Sequence, residues 1–179
     1  MLGRKASATV GVLVMMALLA GCGGSSSSVS PAAYAKSVCG AIGPFQQKLV
    51  SSGSLDLSKA SPVQGRQLLQ HFFSSVATAS DQAASQLKAA GSPKIGNGKA
   101  ISSAIVTAFM QLKGSLTQAA SQASSLPTAS VQRFRTAAAQ LSSGVKSSMA
   151  SIDTSFSGLK SKELDKVVTS TPACQKLGL

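Results

Sequence analysis

The longest helical pattern of apolar residues in this chain of 179 residues runs from Val131 to Leu159. Its apolar side chains recur every three or four residues, which places them on one face of an α-helix and not of a half-buried strand. They are Val131, Phe134, Ala138, Leu141, Val145, Met149, Ile152, Phe156 and Leu159. Because such a helix is stable only when its apolar face is covered, the pattern predicts a long helix that packs against other helices.

Three further segments carry the same spacing together with signals for the start or end of a helix. Ser30–Pro31 and Ser61–Pro62 each combine a serine N-cap with a proline suited to the first helical position. Gly91, followed by Pro93, is expected to end the second helix near Ala90. The predicted apolar faces are Ala35, Val38, Ile42, Phe45 and Leu49 in the first helix; Leu69, Phe72, Val76, Ala79, Ala83 and Leu87 in the second; and Ile101, Ile105, Ala108, Leu112, Leu116, Ala119 and Ala123 in the third.

Smaller signals complete the predicted helices. Gly43–Pro44 interrupts the first helix and predicts a kink, because the apolar period continues beyond it. Asn97 is predicted to cap the third helix and Thr128 the fourth. Two short C-terminal helices are expected to start at Ser161 and Thr171.

Four long helices with short connections favour antiparallel neighbours. The third of them is predicted over about residues 98–125, and no strand pattern interrupts the series. We therefore predict an all-α fold, an up-down-up-down four-helix bundle that forms a single domain of residues 31–179. The two short C-terminal helices are expected to close one end of it.

The first 21 residues have the features of an export signal. Arg4 and Lys5 supply a positive start, and residues 9–20 form an apolar run. The run has about 12 residues, whereas a helix that spans a bilayer needs roughly 20. It is therefore interpreted as a signal peptide and not as a permanent membrane span.

The segment Leu19-Ala20-Gly21-Cys22 closes this run and resembles the lipobox of bacterial lipoprotein precursors. The resemblance implies that the cysteine sulfur of Cys22 receives a diacylglyceryl group and that the chain is cut between Gly21 and Cys22. Residues 22–30, rich in Gly and Ser, then form a flexible tether. The expected location is the extracytoplasmic side of a bacterial cell membrane, with the protein held by its lipid. The alternative is a plain secretory signal with a chance cysteine.

The chain has three cysteines, and lipidation of Cys22 leaves Cys39 and Cys174. An even pair in an oxidising compartment predicts a disulfide between the first helix and the C-terminus. A metal site is the other use of paired cysteines, but two distant cysteines without histidine partners do not provide one. The prediction is therefore a disulfide and no metal.

The charge balance is strongly basic. Without residues 1–21, which include Arg4 and Lys5, 158 residues remain with 15 Lys and Arg against 5 Asp and Glu, a net charge of +10. Export removes intracellular nucleic acid as a partner, and the basic residues are scattered along the chain. Anionic lipid or a wall polymer is the expected partner surface. The alternative is an ordinary solvated surface.

Residues able to perform catalysis are scarce. His71 is the only histidine, and no Gly-x-Ser-x-Gly motif is present to form a nucleophile elbow for a Ser-His-Asp triad. The chain has no Cys-x-x-Cys-His motif to support haem ligation by His71 with Met110 or Met149. Residues 96–99 do not fit a phosphate-binding loop, because no strand is predicted before them. We predict no enzyme activity and no cofactor. A pocket that joins His71 to an aspartate would favour an enzyme.

The mature region resembles the Ala/Ser-rich helical lipoproteins of actinobacteria, through its opening at Tyr34–Cys39 and its close at Pro172–Cys174. Many proteins of this kind have no assigned activity. We expect a non-enzymatic, membrane-anchored helical module that binds a protein partner, as yet unknown, or the anionic envelope surface. The alternative is a carrier of a small apolar ligand or a lipid, with a pocket between the helices.

Overall fold

The computed structural model describes residues 27–52, 57–157 and 161–178. Helix makes up 80% of them, in six helices. The elements are β1 (Ser28–Val29), α1 (Pro31–Ser52), α2 (Pro62–Ala89), β2 (Ser92–Pro93), α3 (Gly98–Ser124), α4 (Val131–Ser157), α5 (Lys162–Ser170) and α6 (Pro172–Gln175). The predicted lipobox, most of the tether and Leu159 lie outside the described residues.

The helix boundaries follow the predicted local signals at most positions. Ser61 forms a reciprocal capping box with Gln64 at the start of α2. Gly91, just beyond the end of α2, has a φ of 77°, a left-handed conformation that glycine adopts without steric cost. The helix α1 continues through Pro44, as the apolar period predicts.

Two predicted caps are corrected. Asn97 occupies the N-cap position of α3, but its side chain makes no capping hydrogen bond. Thr128 does not cap α4, because that helix begins at Val131 and the amide of Phe134 donates to the carbonyl of Ser130. Asparagine and threonine both suit an N-cap. At Asn97 the side chain is not placed to make the bond, and at Thr128 the helix starts further along the chain.

The four long helices pack in sequence order. The helix α1 packs against α2, α2 has its largest interface with α3, and α3 packs against α4. The main core lies between these helices and includes Leu69, Phe73, Leu112, Leu116 and Phe134. The short helices α5 and α6 pack against α1.

The predicted apolar face of α4 is only partly buried. Phe134, Ala138 and Leu141 are buried, but the exposed fractions of Val131 and Met149 are 51% and 43%. Among the described elements, α4 has an extensive interface with α3 alone. The contacts with α3, and with α2 at Phe134, cover only part of the stripe. The expectation that all of it is buried is therefore wrong at Val131 and Met149.

A second apolar cluster lies around the disulfide between Cys39 and Cys174, whose Cα atoms are 5.1 Å apart. Ala35, Val167 and Leu177 are among the residues that pack there, and both cysteines are buried. The sequence predicts this pairing, and the structure confirms it. The disulfide joins the C-terminal helices to the middle of α1.

Gly65 provides a test of the packing between α2 and α4, because it lies under the ring of Phe134. A Cβ atom at this position would come within 2.5 Å of Phe134 Cζ and 2.8 Å of Phe134 Cε1. We expect Gly65→Ala to lower the free energy of unfolding by about 1–3 kcal/mol, because the displaced ring outweighs the better helix propensity of alanine. Urea unfolding monitored by circular dichroism measures this change.

Gly114→Ala is the matched control for Gly65→Ala. Gly114 also lies within a helix, but a Cβ atom there meets nothing within 4 Å. We expect this variant to be more stable than the wild type by up to about 1 kcal/mol. Equal shifts in the two variants would contradict the assigned contact between Gly65 and Phe134.

Candidate surface-binding site

The end of the predicted tether is held against the connection between α2 and α3. Strand β1 lies parallel to β2, with Ser28 opposite Ser92 and Val29 opposite Pro93. The amide of Ser92 donates to the carbonyl of Ser27 at 3.2 Å, and the amide of Lys94 donates to the carbonyl of Val29 at 2.8 Å. The chain that leads from Cys22 therefore enters the domain beside this connection.

Two glycines allow this close approach of backbone segments. A Cβ atom on Gly91 would overlap the carbonyl oxygen of Ser27, and one on Gly98 would overlap the carbonyl oxygen of Pro93. The positive φ of Gly91 adds a second requirement for glycine. The sequence therefore builds a tight turn at which the incoming chain, the end of α2 and the start of α3 meet.

Three lysines surround this turn. Lys88 lies in the last turn of α2, Lys94 follows β2, and Lys99 lies in the first turn of α3. All three are exposed, and none forms a salt bridge within the described part of the chain. We call this group, together with the turn, the lysine end of the domain.

The position of Lys99 is not explained by helix stability. A cation near a helix N-terminus is opposed by the helix dipole, whereas Lys88 near a C-terminus is favoured by it. The carboxylate of Asp81, about 10 Å before Lys88 along α2, is bonded to Lys113 at 2.8 Å. That carboxylate is therefore already partly neutralised, and the lysine end remains positive.

A groove of about 370 Å³ opens between Lys88 and Lys99. It lies between the end of α2 and the first half of α3. Its lining consists of Lys88, Gly91, Ser92, Lys99, Ser102, Ser103, Val106, Thr107 and Met110. Cations and hydroxyls occupy the end near the turn, and apolar side chains continue along α3. We call it the α2–α3 groove.

Hydrogen bonds organise the floor of the α2–α3 groove. The hydroxyl of Ser102 donates to the carbonyl of Gly91 at 2.6 Å and is also hydrogen-bonded to the buried hydroxyl of Tyr34. Burial raises the pKa of Tyr34 above its usual value of 10.0, and the bond to Ser102 offsets part of that rise. Tyr34 is therefore neutral at physiological pH. By contrast, the buried hydroxyl of Ser92 has no partner among the described residues.

Other grooves bear on the alternative of a ligand carrier. The groove between α3 and α4, about 410 Å³, is lined partly by amides such as Gln118, Gln122 and Gln140. A larger space of about 670 Å³ lies beside the disulfide, between α1 and α6, and is lined in part by Val50 and Leu177. The space between α1 and α6 has the more apolar lining of the two.

The structure does not bring the considered catalytic and haem residues together within its described part. His71 is exposed on α2, in a groove lined by Ala60, Gln64, Gln67 and Leu68. Met110 lines the separate α2–α3 groove, and Met149 is exposed on α4. No carboxylate is among the described residues that line the groove at His71.

Neither a metal cluster nor a membrane span is found in the described ranges. No group of three or more His, Cys, Asp or Glu residues there is placed to hold a metal ion. No helix there combines the length and the apolar character needed to cross a bilayer. Cys22 and Gly21 lie outside these ranges, whereas Cys39 and Cys174 form the disulfide described above.

Comparisons with known proteins provide no relative. No family model, no curated protein and no solved structure matches this chain. The sequence alone does not distinguish the residues of the α2–α3 groove, because serine and lysine are common throughout the chain. The only local signal was the cluster of glycine and lysine at residues 96–99, which the structure places at the start of α3.

Proposed function

We propose that this protein is a lipid-anchored extracytoplasmic lipoprotein whose helical domain binds the anionic surface of the cell envelope. The observation that carries the proposal is the pairing of β1 with β2, because it attaches the tether at the lysine end. Cys22 precedes Ser27 by five residues, and a fully extended chain of that length reaches about 18 Å. A lipid on Cys22 would therefore keep Lys88, Lys94 and Lys99 close to the membrane.

Electrostatic attraction at this distance is moderate. Each lysine near an anionic membrane contributes about 1 kcal/mol, so three contribute about 3 kcal/mol. Screening by salt limits this attraction to lysines that lie within a Debye length of the membrane surface, which is roughly 8 Å at physiological ionic strength. Two acyl chains provide the stable anchor. In this proposal the lysines set which end of the domain faces the membrane, and the lipid holds it there.

The proposal includes the topology of the four long helices and assigns no catalysis, metal or cofactor to the protein. We infer an up-down-up-down order because the segments 90–97 and 125–130 are short, which favours antiparallel neighbours. In that order the end of α2 and the start of α3 lie at the same end of the domain, and the start of α4 lies at the other.

Binding to vesicles tests the proposal without the lipid. Unlipidated mature chain, residues 22–179 with Cys22→Ser, is expected to sediment with vesicles that contain phosphatidylglycerol and not with pure phosphatidylcholine vesicles. The triple variant Lys88→Glu, Lys94→Glu and Lys99→Glu is expected to lose this binding, because it replaces the three cations of the lysine end with anions. High salt should weaken the binding of the wild type.

A triple variant with the same change in net charge is the control. Lys48, Lys59 and Arg133 are exposed near the end of α1, the start of α2 and the start of α4. Lys59 and Lys88 are separated by the length of α2, about 40 Å. Glutamate at these three positions should leave most of the binding intact. Equal losses in the two triple variants would mean that net charge and not the lysine end is responsible.

A second candidate function is the carriage of a small apolar ligand. The space between α1 and α6 favours it, because about 670 Å³ lies within the range of ligand pockets and Val50 on its wall is 74% exposed. Native mass spectrometry of protein purified from bacterial membranes would show a co-purified lipid or apolar compound. A protein that carries no such compound would leave the surface-binding function as the only candidate.

A further inference from the structure

We infer that the α2–α3 groove is a binding site for a phosphate group, supplied either by the headgroup of an anionic lipid or by a soluble phosphate. The lipid source rests on the proposed function, because the groove lies at the lysine end; the soluble source does not. The inference names the chemical group that this end recognises, in place of a general attraction to negative charge.

Two cations lie on opposite sides of the groove. Lys88 comes from the end of α2 and Lys99 from the start of α3, and both side chains are free of salt bridges to described residues. Like charges that share one groove repel each other, so an anion between them relieves that repulsion. The groove between α3 and α4 has no lysine in its lining, and that between α1 and α2 has Lys48 alone.

The buried hydroxyl of Ser92 is a second and independent observation. Ser92 lines the groove, is 3% exposed, and its hydroxyl makes no hydrogen bond to a described residue. Buried hydroxyls in proteins are normally paired. A phosphate oxygen in the groove would give this hydroxyl the acceptor that it lacks.

Ser103 and Thr107 provide two more donors on the wall. They lie one turn apart on the same face of α3 and are both exposed. Thr117 and Thr136 donate to backbone carbonyls four residues earlier. Ser103 and Thr107 make no such bond within the described residues, so their hydroxyls remain available for a ligand. The neighbouring Ser102 is already bonded to Gly91 and Tyr34 and holds the floor in place.

The apolar end of the groove favours a lipid as the source of the phosphate. Val106 and Met110 continue the lining along α3, and Met110 is 59% exposed. A large apolar side chain beside a cationic site suits a ligand with a phosphate and a hydrocarbon part. The volume of about 370 Å³ also exceeds what a phosphate group alone requires.

Soluble probes test the site separately from membrane attraction. Inorganic phosphate, dihexanoyl phosphatidic acid and dihexanoyl phosphatidylcholine are titrated into the mature chain carrying Cys22→Ser, and amide shifts are followed by NMR. We expect dihexanoyl phosphatidic acid to shift the amides of residues 88–110 and dihexanoyl phosphatidylcholine to bind more weakly. Lys99→Gln should weaken phosphatidic acid binding about tenfold, because a bond to a charged group is lost.

Hydroxyl variants and a neighbouring lysine complete the design. Ser92→Ala and the double variant Ser103→Ala with Thr107→Val should each weaken phosphatidic acid binding several-fold, with the helix content unchanged. Lys94→Gln is the control, since Lys94 belongs to the lysine end but not to the groove. It should reduce vesicle binding while it leaves the affinity for the soluble probe unchanged.

The affinities for the soluble probes and for vesicles distinguish the two phosphate sources, and they separate the phosphate site from the proposed function. Binding of phosphatidic acid at least about tenfold tighter than inorganic phosphate assigns a lipid source, whereas equal affinities assign a soluble phosphate. Vesicle binding that depends on the three lysines, with no saturable binding of either soluble phosphate probe, would overturn the phosphate site and leave the proposed function standing. Probe binding that depends on Lys99, with no vesicle binding, would instead overturn the proposed function.

Discussion

Replacing both Cys39 and Cys174 with alanine is expected to lower the free energy of unfolding by about 3–5 kcal/mol. The two residues are separated by 135 positions in sequence, and a loop of that length loses much conformational freedom when it is closed. Both cysteines are buried, so the loss of the sulfur atoms adds a small packing term. Urea unfolding of the variant and of the wild type measures the difference.

The effect should be concentrated in the C-terminal helices. The helices α5 and α6 have 9 and 4 residues, which is too short for independent stability. Beyond the disulfide, they are held to α1 by partly buried residues such as Val167, Val168 and Leu177. Hydrogen exchange should therefore show that amides of residues 162–178 lose protection first.

Chemical reduction of the wild type provides the control for this prediction. A reduced wild type should resemble the double alanine variant, because both lack the same covalent link. If the variant unfolds at the same urea concentration as the oxidised wild type, the disulfide does not stabilise the fold. If the loss of protection begins in α2 and α3, the C-terminal helices do not depend on the disulfide.

The second large effect is expected at Cys22. Cys22→Ser should abolish incorporation of labelled palmitate in a bacterial host, because the sulfur of Cys22 is the proposed point of lipid attachment. Each buried CH₂ of an acyl chain contributes about 0.8 kcal/mol to membrane binding, so two chains far exceed the about 3 kcal/mol from three lysines. Mass spectrometry of the wild-type N-terminus should show a diacylglyceryl group on Cys22.

A secreted form separates the anchor from the rest of the chain. Residues 23–179 behind an ordinary secretory signal should be released from the membrane by a high-salt wash, because only the lysines then hold them there. The lysine-end triple variant with Cys22 intact should remain with the membrane, since the acyl chains are still present. A wild-type protein without lipid on Cys22 would contradict the lipoprotein assignment and favour plain secretion.

The helices were predictable because their signals are local. In α3, Ile101, Ala108, Leu112 and Leu116 are all buried as the spacing requires. The same reasoning overestimates burial in α4, because periodicity identifies an apolar face but not the number of helices that cover it. Val131 and Met149 continue the stripe but stay exposed.

The disulfide was predictable for a different reason. Assigning Cys22 to lipid attachment leaves Cys39 and Cys174 as the only remaining pair. This conclusion needs no knowledge of how α1 and α6 approach each other. Cysteine counting therefore succeeded for a contact that no periodic pattern reveals.

The candidate site could not be predicted because its contacts are not local. Strand β1 has two residues and pairs with Ser92–Pro93, 64 positions later, without an alternating pattern. In the α2–α3 groove, Ser92 differs from other serines because its buried hydroxyl lacks a hydrogen-bond partner among the described residues. The sequence shows that it is a serine but not that it lacks a partner. Only the packed structure distinguishes Ser92 from the bonded Ser102.

The pairing of β1 with β2 also has a mechanical consequence. Tension in the chain before Ser27 is resisted first by the bonds from Ser92 and Lys94 to the carbonyls of Ser27 and Val29. The load passes into α2 and α3, which share the largest interface in the described structure, before it reaches α1. With the proposed lipid anchor on Cys22, movement of the membrane would therefore reorient the domain about this junction before it unwinds the first helix.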